Sequence, residues 1–582
     1  MATLQEQINA ASSGSVIQHD GEFVGNLIIN KPITIQGSGK IRTLNADPAV
    51  FIPPKTGPVT LRGLEICTTP GWAEVFDVVR WGTWQTNLLQ DVPAGLTIDS
   101  CDIHGQPAQN IQNGIAANGA FLVLKNSKIR EIHHDGAESH CFAAWNGPGP
   151  FTIKDCYLEG GHIGILFGGA EARIPNLIPS TIEISRVHSI IPLEWRGKRR
   201  NKNRLEFKNA RDVIVDGFIA ENSWVESQIG FGVLVTVRNE RGLNPWAVCQ
   251  NIQIRNLHVK NCAGGFQIIG QDDNAAAVAG AGSDLKISNA LIELNPEMGV
   301  GGVTNGRLFQ VQAFNNLSID RITANPPHSY LNAELSSQGS LSHGLRLTNS
   351  LLAQGQYGFF GDSDRPLTAF CPDGQISGNT IYGPVISRPK FAGNTYVDSK
   401  PSSLPAGIGF DATAFAAAML KPTGEPAPAP QPTPDPIPTT PLPSSPDGTK
   451  GVTITDNTGG VWTIGPALET FRNKIHMGNG RGSVYKWFNS TVYVLGTDSR
   501  GWWQWFGDGW GLFGAVEPGT TAPTPAPAPT PAPTPIPEPT TRSILWPGNK
   551  TQQNSIVAQQ WASRFRFKRN LDNGRAEFEK VP

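Results

Sequence analysis

The sequence is 582 residues long and carries a formal net charge of −1 at pH 7. So balanced a charge gives no electrostatic case for binding nucleic acid or an anionic membrane surface. No apolar run approaches the roughly 20 residues of a membrane helix, so we expect no membrane span. The first residues, MATLQEQINAASSG, lack a basic start and an apolar stretch, so we expect no secretory signal.

The cysteines also limit the class of protein. Seven of them are scattered singly, with neither a CxxC motif nor a Cys/His pattern. An odd, scattered set argues against a disulfide framework and against a zinc site. We therefore expect small buried cysteines, no metal and no cofactor.

In chain order, LQEQINAA (4–11) predicts a short amphipathic helix that covers the open end of a coil. NLIINKPITIQGSG (26–39) follows as a first strand pair. One short phrase then recurs: LTIDSCDI (96–103), LVLKNSKI (122–129), FTIKDCYL (151–158), TIEISRV (181–187), DVIVDGFI (212–219), NIQIRNLHV (251–259), DLKISNALI (284–292), NLSIDRI (316–322), GLRLTNSLL (344–352) and DGQISGNTI (373–381).

Each phrase supplies an inward-facing aliphatic residue at the same place. These residues are Ile98, Leu124, Ile153, Ile184, Val215, Ile254, Ile287, Ile319, Leu347 and Ile376. Their spacing runs from 26 (Ile98 to Leu124) to 39 (Val215 to Ile254). Short strands at this period, without a helical pattern between them, predict a parallel β-helix over residues 1–420.

A corner residue stands two positions beyond each inward one. The set is Ser100, Asn126, Asp155, Arg186, Gly217, Asn256, Asn289, Arg321, Asn349 and Gly378. Asn, Asp and Gly tolerate the left-handed backbone of a sharp corner. Stacked asparagines can also bond to one another along the coil. Period and corner chemistry therefore indicate the same fold.

The stretch 204–273 is the best-formed part of the repeat. Its distinctive residues are Phe207, Lys208, Asn209, Ala210, Arg238, Asn239, Pro245, Trp246, Gly264, Gly265, Gly270, Asp272 and Asp273. Residues 5–400 resemble right-handed parallel β-helix proteins of the pectin-lyase-like kind, and this stretch is similar to a β-helix family of bacterial and bacteriophage proteins. The resemblance implies an all-β, right-handed coil. It leaves the reaction open, because such scaffolds host lyases, hydrolases, adhesins and virion fibres.

Two proline-rich spacers divide the rest of the chain. Residues 421–447 and 518–541 carry proline at every second or third position, which favours a stiff polyproline II conformation. Between them, 448–517 predicts a small β module with strands in VWTIG, VYKWF and TVYVLG. The mildly basic end, 542–582, is too small to fold securely alone, so we expect it to dock on a partner.

A rod, spacers and a small terminal piece suit display at a surface. Without a secretion signal, a bacteriophage virion protein fits best, since it is made in the host cytoplasm and released by lysis; a signal trimmed from the N-terminus is the alternative. We expect attachment to other virion proteins through 542–582, with the coil outermost. By analogy with phage spikes we expect a homotrimer; a monomeric coil closed by its own cap is the alternative.

The first candidate site is EIHHDGAESH (131–140). His133, Glu138 and His140 form a carboxylate–imidazole cluster that could act as general acid and base on a sugar. Counting from strand partners, we expect His133 to stack on His162. The alternative is a solvated loop with hydrogen-bonded histidines.

The second candidate site lies where strands end. Glu240 follows one strand, Asp272 and Asp273 follow the next, and Asp362 and Asp364 come three rungs further on. Rungs lie about 4.8 Å apart, so carboxylates one or two rungs apart bracket the spacing of retaining and inverting glycosidases. We expect Arg238, Trp224 and Trp246 to hold a glycan nearby. The alternative is that these acids make turns and keep an edge soluble.

Two further features carry chemistry. The loop EWRGKRRNKNR (194–204) has six basic residues, which suit an anionic glycan, a lid or a subunit contact. The module ends in a cluster of tryptophans, which predicts either a miniature core or a glycan-binding face. The cluster consists of Trp502, Trp503, Trp505 and Trp510.

Three functions stay open from sequence. The first is a phage spike, fibre or capsid or tail decoration protein that binds host-surface polysaccharide. The second is a polysaccharide depolymerase, a lyase or a glycoside hydrolase, on the same scaffold. The third is a bacterial secreted adhesin, which would be extracellular.

Overall fold

The structure is a computed structural model that describes residues 2–238, 242–273, 280–299, 305–361, 365–384, 390–420, 449–455, 461–464, 469–472, 475–488, 491–497, 501–505, 510–514, 542–545, 565–570 and 575–580. It divides into two compact units, Met1–Gly424 and Glu425–Pro582. Both predicted spacers, 421–447 and 518–541, lie outside the described residues. Among the residues described, no helix has the length and apolar character needed to cross a membrane.

The first unit is a coil of short parallel strands. Its strands are β1 Ser15–Gln18, β2 Glu22–Val24, β3 Leu27–Ile28, β4 Ile33–Gln36, β5 Lys40–Arg42, β6 Val50–Ile52, β7 Val59–Arg62, β8 Glu65–Cys67, β9 Glu74–Gly82, β10 Ala94–Asp99, β11 Asp102–His104, β12 Asn110–Asn118, β13 Ala120–Lys125, β14 Lys128–Ile132, β15 His140–Ala144, β16 Phe151–Gly160, β17 Ile163–Phe167, β18 Ser180–Ile190, β19 Asn203–Phe207, β20 Ala210–Ser223, β21 Phe231–Thr236, β22 Cys249–Cys262, β23 Gly264–Ile269, β24 Gly282–Leu294, β25 Phe309–Gln312, β26 Asn315–Ala324, β27 Ser329–Glu334, β28 Arg346–Thr348, β29 Leu351–Ala353, β30 Gly358–Gly361, β31 Gln375–Ser377, β32 Thr380–Tyr382 and β33 Thr395–Val397. Two α-helices, α1 Leu4–Ala10 and α2 Ala412–Met419, and the 3₁₀ turns Leu89–Asp91, Leu193–Trp195, Pro296–Met298 and Leu367–Ala369 accompany them.

The strands form two parallel sheets that wrap around one core. Sheet B consists of β3, β6, β9, β12, β15, β17, β19, β21, β23, β25, β27 and β30, and sheet A holds the other strands of the unit. One buried apolar cluster runs along the inside of both sheets. The first unit is therefore a parallel β-helix, as the repeat predicted.

The predicted register is confirmed along the whole repeat. The ten inward aliphatic residues pair in an unbroken series, from Ile98 on Leu124 to Leu347 on Ile376. A slip of one residue would turn the aliphatic side of a strand to solvent. The apolar pattern thus fixes which residues point outward and become neighbours on the surface.

The predicted corners are confirmed too. All ten corner residues have positive φ, from 49° at Asn349 to 77° at Gly217. Asn256 shows why asparagine suits the position: its Nδ2 donates to Asp216 Oδ1 at 2.6 Å, and its Oδ1 accepts from Asn289 Nδ2 at 2.6 Å. The side chain therefore links three successive rungs while the backbone makes the turn.

Asn256 provides a test of this corner. We expect Asn256→Ala to lower the free energy of unfolding by about 2–3 kcal/mol. Alanine adopts the left-handed backbone conformation less readily than asparagine, and both side-chain hydrogen bonds are lost. Asn256→Gly should lose about half as much, since glycine adopts positive φ freely. Urea unfolding followed by circular dichroism measures both. Equal midpoints for the wild type and both variants would rule out this role.

Helix α1 lies at the N-terminal end of the coil, whereas helix α2 packs beside β18, β20 and β22 in the middle of sheet A. Helix α1 has a Thr3–Glu6 capping box and buries Leu4 and Ile8 in the main core, which confirms the predicted short amphipathic helix. Helix α2 begins after Asp411, which caps Ala414 and pairs with Arg321 at 3.2 Å. All seven cysteines are free and buried, as expected.

The second unit contains two antiparallel sheets. The first comprises β34 Lys450–Gly451, β35 Thr453–Thr455, β36 Val461–Ile464, β37 Glu469–Arg472, β38 Ile475–Phe488, β39 Thr491–Gly496, β40 Trp502–Trp505 and β41 Trp510–Gly514. It includes the three strands predicted for the module. The second sheet comprises β42 Arg542–Leu545, β43 Phe565–Asn570 and β44 Arg575–Lys580.

Candidate functional site

The outer face of sheet B carries a mostly polar row of residues in register. Asp77, Asn113, His140, Ile163 and Asn203 are successive partners across five strands. Hydrogen bonds join the first three: Asn113 Nδ2 donates to Asp77 Oδ1 at 2.7 Å, and His140 Nδ1 lies 2.8 Å from Asn113 Oδ1. This row fixes the orientation of the His140 ring.

The basic loop 194–204 forms a wall along one edge of sheet B. Arg199 donates to Pro107 O at 2.6 Å and to Asp135 Oδ1 at 2.8 Å. Pro107 precedes β12, and Asp135 precedes β15. Arg196 donates to Gly299 O at 2.8 Å, and Gly299 precedes β25. Parallel strands all start at one edge, so these contacts stretch the loop along that edge from β12 to β25. Arg196 and Arg199 are thereby engaged in holding the wall.

A second wall follows the edge where the strands end. Residues 168–179, the edge loop, leave β17 and return to β18. The Oδ1 of Asn146 accepts from Arg173 N at 2.9 Å, and Trp246 Nε1 donates to Leu177 O at 3.0 Å. The edge loop is thus bonded to segments that follow β15 and β21. Sheet B lies between the two walls.

A groove of ≈ 560 Å³ opens between these walls. It is lined by Glu138, Gly169, Lys202, Lys208, Gln228, Arg238, Asp272 and Asp273. Three lining residues are cationic and three are anionic. The groove therefore brings together residues from both carboxylate clusters that the sequence indicated separately.

Glu138 is the most strongly perturbed acid of the groove. Its carboxylate pairs with Lys202 Nζ and lies 3.1 Å from His140 Nε2. Burial alone would raise the pKa of Glu138, but the hydrogen bond from His140 and the charges of His140, Lys208 and Lys202 outweigh it. The pKa therefore lies well below its ordinary value. Glu138 is a fixed anion here and is unsuited to donate a proton.

Two cations, Arg238 and Lys208, organise the rest of the groove through ion pairs. Arg238 Nη1 lies 2.9 Å from Asp272 Oδ1 and 3.7 Å from Asp273 Oδ2, while the Asp273 side chain is 63% exposed. Lys208 Nζ lies 3.2 Å from Oε1 of the buried Glu206. Burial alone would lower the pKa of Lys208, but the charges of Glu206 and Glu138 raise it above its ordinary value. Lys208 is therefore a permanent cation.

The free energy of unfolding should depend on whether Glu138 is ionised. A depressed pKa in the folded state stabilises the fold fully above the ordinary carboxyl pKa of 4.5 and progressively less below it. We expect Glu138→Gln to be less stable at pH 7 by about 1–2 kcal/mol, with the gap shrinking below pH 4.5. Urea unfolding across pH measures this gap. Glu183→Gln, at an exposed carboxylate, is the control, and a gap that is independent of pH would contradict the assignment.

His133 does not join this site. Its side chain is 2% exposed and packs edge-on against Trp195, with ring centroids 5.0 Å apart. Burial lowers the pKa of His133 to about 4, so it is neutral at pH 7. The expected stack on His162 is also wrong: the offset between β14 and β16 falls from 29 to 28, and His162 Nε2 contacts His134 O at 2.8 Å.

The predicted glycan-binding aromatic residues have different outcomes. Trp224 is 1% exposed and packs with Ile191, Ala263 and Met298, so its proposed stacking role is wrong. Trp246 is partly buried and ties down the edge loop instead of lining the groove. Glu240, Asp362 and Asp364 lie outside the described residues.

The tryptophan cluster divides between core and unassigned positions. Trp502 is 3% exposed beneath Lys450, and Trp503 packs against the small core of the module. These two support the miniature-core interpretation. Trp505 and Trp510 are partners in the β40–β41 pair, and their side chains lie outside the described set.

Sequence reasoning missed Lys202, Lys208, Gly169 and Gln228 as groove residues. Lys208 could have been found from the register. It follows the last inward residue of β19, and Arg238 follows β21, the neighbouring strand of sheet B. Gly169 carries positive φ, 84°, and a Cβ there would meet Leu166 and Lys208 side-chain atoms at 3.1 and 3.3 Å. A larger side chain would crowd the groove.

Parallel strands at one period, with a walled polar groove on one sheet, define the class: a parallel β-helix with an axial groove. No family model and no curated protein matches the sequence. A solved structure described as alginate lyase from Paenibacillus sp. str. FPU-7 is similar over 68% of this chain and 95% of that chain, with a TM-score of 0.20 and 9% identity. A likeness at these values bears on neither the fold nor the reaction of this protein.

Proposed function

We propose that the coil binds a polysaccharide in the sheet B groove. The observation that carries this proposal is the groove itself, with three cations and three carboxylates held by ion pairs between two walls. Sugar hydroxyls both donate and accept hydrogen bonds, and bonds to charged groups are the strong ones. Because the charges balance, the groove suits a neutral or weakly charged glycan better than a polyanion.

The setting we propose is the surface of a bacteriophage virion, as a spike, fibre or capsid or tail decoration. The proposal rests on the order of modules: a rod, a proline-rich spacer, a small β module, a second spacer and a short terminal sheet. The coil would face host-surface polysaccharide, with 542–582 attached to other virion proteins. A homotrimer remains part of this proposal.

Binding is tested first, with the full chain and a panel of purified bacterial capsular polysaccharides and lipopolysaccharide O-antigens, by isothermal titration calorimetry. We expect binding of at least one glycan, with no cleavage of that glycan. Absence of binding to every member of the panel would overturn the proposal. Mass spectrometry of purified virions tests the setting, and recovery only from the surface of phage-free bacteria would favour the adhesin.

The depolymerase is the second candidate, because Glu138, Asp272 and Asp273 line one groove. Against it, Glu138 has a lowered pKa and Asp272 pairs with Arg238, whereas a glycosidase acid needs a raised pKa. New reducing ends, or the ultraviolet absorbance of an unsaturated uronate, would identify a hydrolase or a lyase. Loss of product in Asp272→Asn would then place the chemistry in this groove.

A further inference from the structure

One exposed tryptophan, Trp84, and one partly buried tryptophan, Trp145, continue the line of the groove toward the N-terminal rungs. Trp145 directly follows β15 and Trp84 follows β9 by two residues, so both lie at the edge where the strands of sheet B end. That edge also carries Gly169, Lys208 and Arg238. Neither tryptophan is explained by the coil interior, and Trp84 is 49% exposed.

Trp145 joins the charged groove to this aromatic region. Its ring packs against Ala143, Ile163 and Leu166 on the outer side of the sheet, and these three are buried beneath it. Leu166 in turn lies 3.1 Å from the position of a Cβ on Gly169, which lines the groove. The surface therefore changes from charged to aromatic without a break.

Trp84 is held in place by a buried support. Asn146, which is fully buried, donates from Nδ2 to Thr86 O at 2.8 Å and Thr83 O at 3.2 Å. Its Oδ1 accepts from Arg173 N at 2.9 Å, and the Arg173 guanidinium lies over the Trp84 ring at 5.1 Å. One side of the indole is thus backed by a cation, while about half of the side chain stays accessible.

We propose that Trp145 and Trp84 are stacking subsites that extend the glycan groove along the coil axis. Three strand steps separate β17 from β9, so the extension covers about 14 Å. A flat apolar sugar face can lie on an indole, and two fixed indoles separated along the axis select a linear, extended chain. This inference rests on the proposed groove and adds the direction and minimum length of its ligand.

Chain length provides the test. The probe is the panel polysaccharide that the wild-type full chain binds best, used both intact and as purified two- to three-sugar fragments, by calorimetry. We expect Trp84→Ala to weaken intact-chain binding roughly tenfold and to leave fragment binding unchanged. Trp72→Ala is the matched control, because Trp72 is 45% exposed but precedes β9 at the opposite edge.

The outcomes separate the two proposals. If the wild type binds and Arg238→Ala strongly weakens binding while Trp84→Ala and Trp145→Ala bind long chains normally, the subsites are overturned and the groove stands. If the wild type binds no glycan, both fail. An equal loss for long chains and fragments in Trp84→Ala also overturns the extension, because the ring would then act inside the groove. Thermal unfolding of each variant confirms that the coil is intact.

Discussion

Arg238→Ala should weaken polysaccharide binding on the order of 100-fold, as expected for a central, charge-paired anchor. The side chain is 39% exposed, lines the groove and holds Asp272 at 2.9 Å. Its removal takes away a fork of donors and also frees the carboxylates to move. Calorimetry with the best-binding panel polysaccharide measures the loss.

Two variants control this result. Arg238→Lys keeps the charge but lacks the planar fork, so it should recover only part of the affinity. Arg255→Ala removes an arginine paired with Asp216 at 2.9 Å on sheet A, and it should bind normally. Unchanged affinity in Arg238→Ala would show that the groove is not the polysaccharide-binding site.

Arg204→Ala should cause the largest loss of stability, about 3–5 kcal/mol, because a buried network of charge-assisted hydrogen bonds is lost. The side chain is fully buried and donates to Gly160 O, Gly161 O, His162 O and Asn201 Oδ1 at 2.8–3.0 Å. Burial lowers the pKa of Arg204 to about 10, which still leaves it charged at pH 7. Truncation removes a donor from Gly160 O and Gly161 O, whereas His162 O keeps the backbone N–H groups of Lys202 and Asn203. The start of β19, below the basic loop, therefore loosens.

Urea unfolding measures this effect. Arg255→Ala again serves as the control, because an exposed ion pair contributes roughly 0–1 kcal/mol. Arg204→Lys should fall between the wild type and Arg204→Ala, since an ammonium reaches fewer of the carbonyls. A midpoint for Arg204→Ala equal to that of the Arg255 variant would show that the buried arginine does not hold this turn.

The coil could be predicted because its rules are local. The left-handed corner at Asn256 and the inward position of Ile254 depend on residues that are neighbours in the chain. The same pattern recurs in ten repeats, which makes a chance match implausible. The corner chemistry tolerates exceptions: Arg186 and Arg321 also adopt positive φ, of 51° and 56°. There, stacking between rungs overrides the preference of the single residue.

The groove was only half predictable because its walls come from loops. Arg238 and Asp272 follow consecutive strands of sheet B, so their proximity could be read from the register. Glu138 and Lys202 meet only because the basic loop runs back along the sheet edge over 64 positions of sequence. Trp224 failed for the same reason: that loop contacts the Trp224 backbone through Asn201, and the ring packs into a satellite core.

The histidine prediction failed through a one-residue irregularity. The count to His133 and His162 started from the paired strand residues Val123 and Thr152, ten positions earlier in each case, and assumed a constant offset. The pairing of β14 with β16 instead shortens by one residue before Ile132. Nothing in the apolar pattern marks that change, because it falls where the chain leaves the sheet. It moved His162 onto the carbonyl of His134 and left His133 buried against Trp195.

The most direct test of the groove is a crystal structure of the full chain with a fragment of the best-binding panel polysaccharide. We expect sugar density over sheet B between Lys208, Arg238 and Asp273, with the chain running along the coil axis toward Trp145. Sugar bound only on the tryptophan-rich module, or on sheet A, would contradict the assignment of the groove.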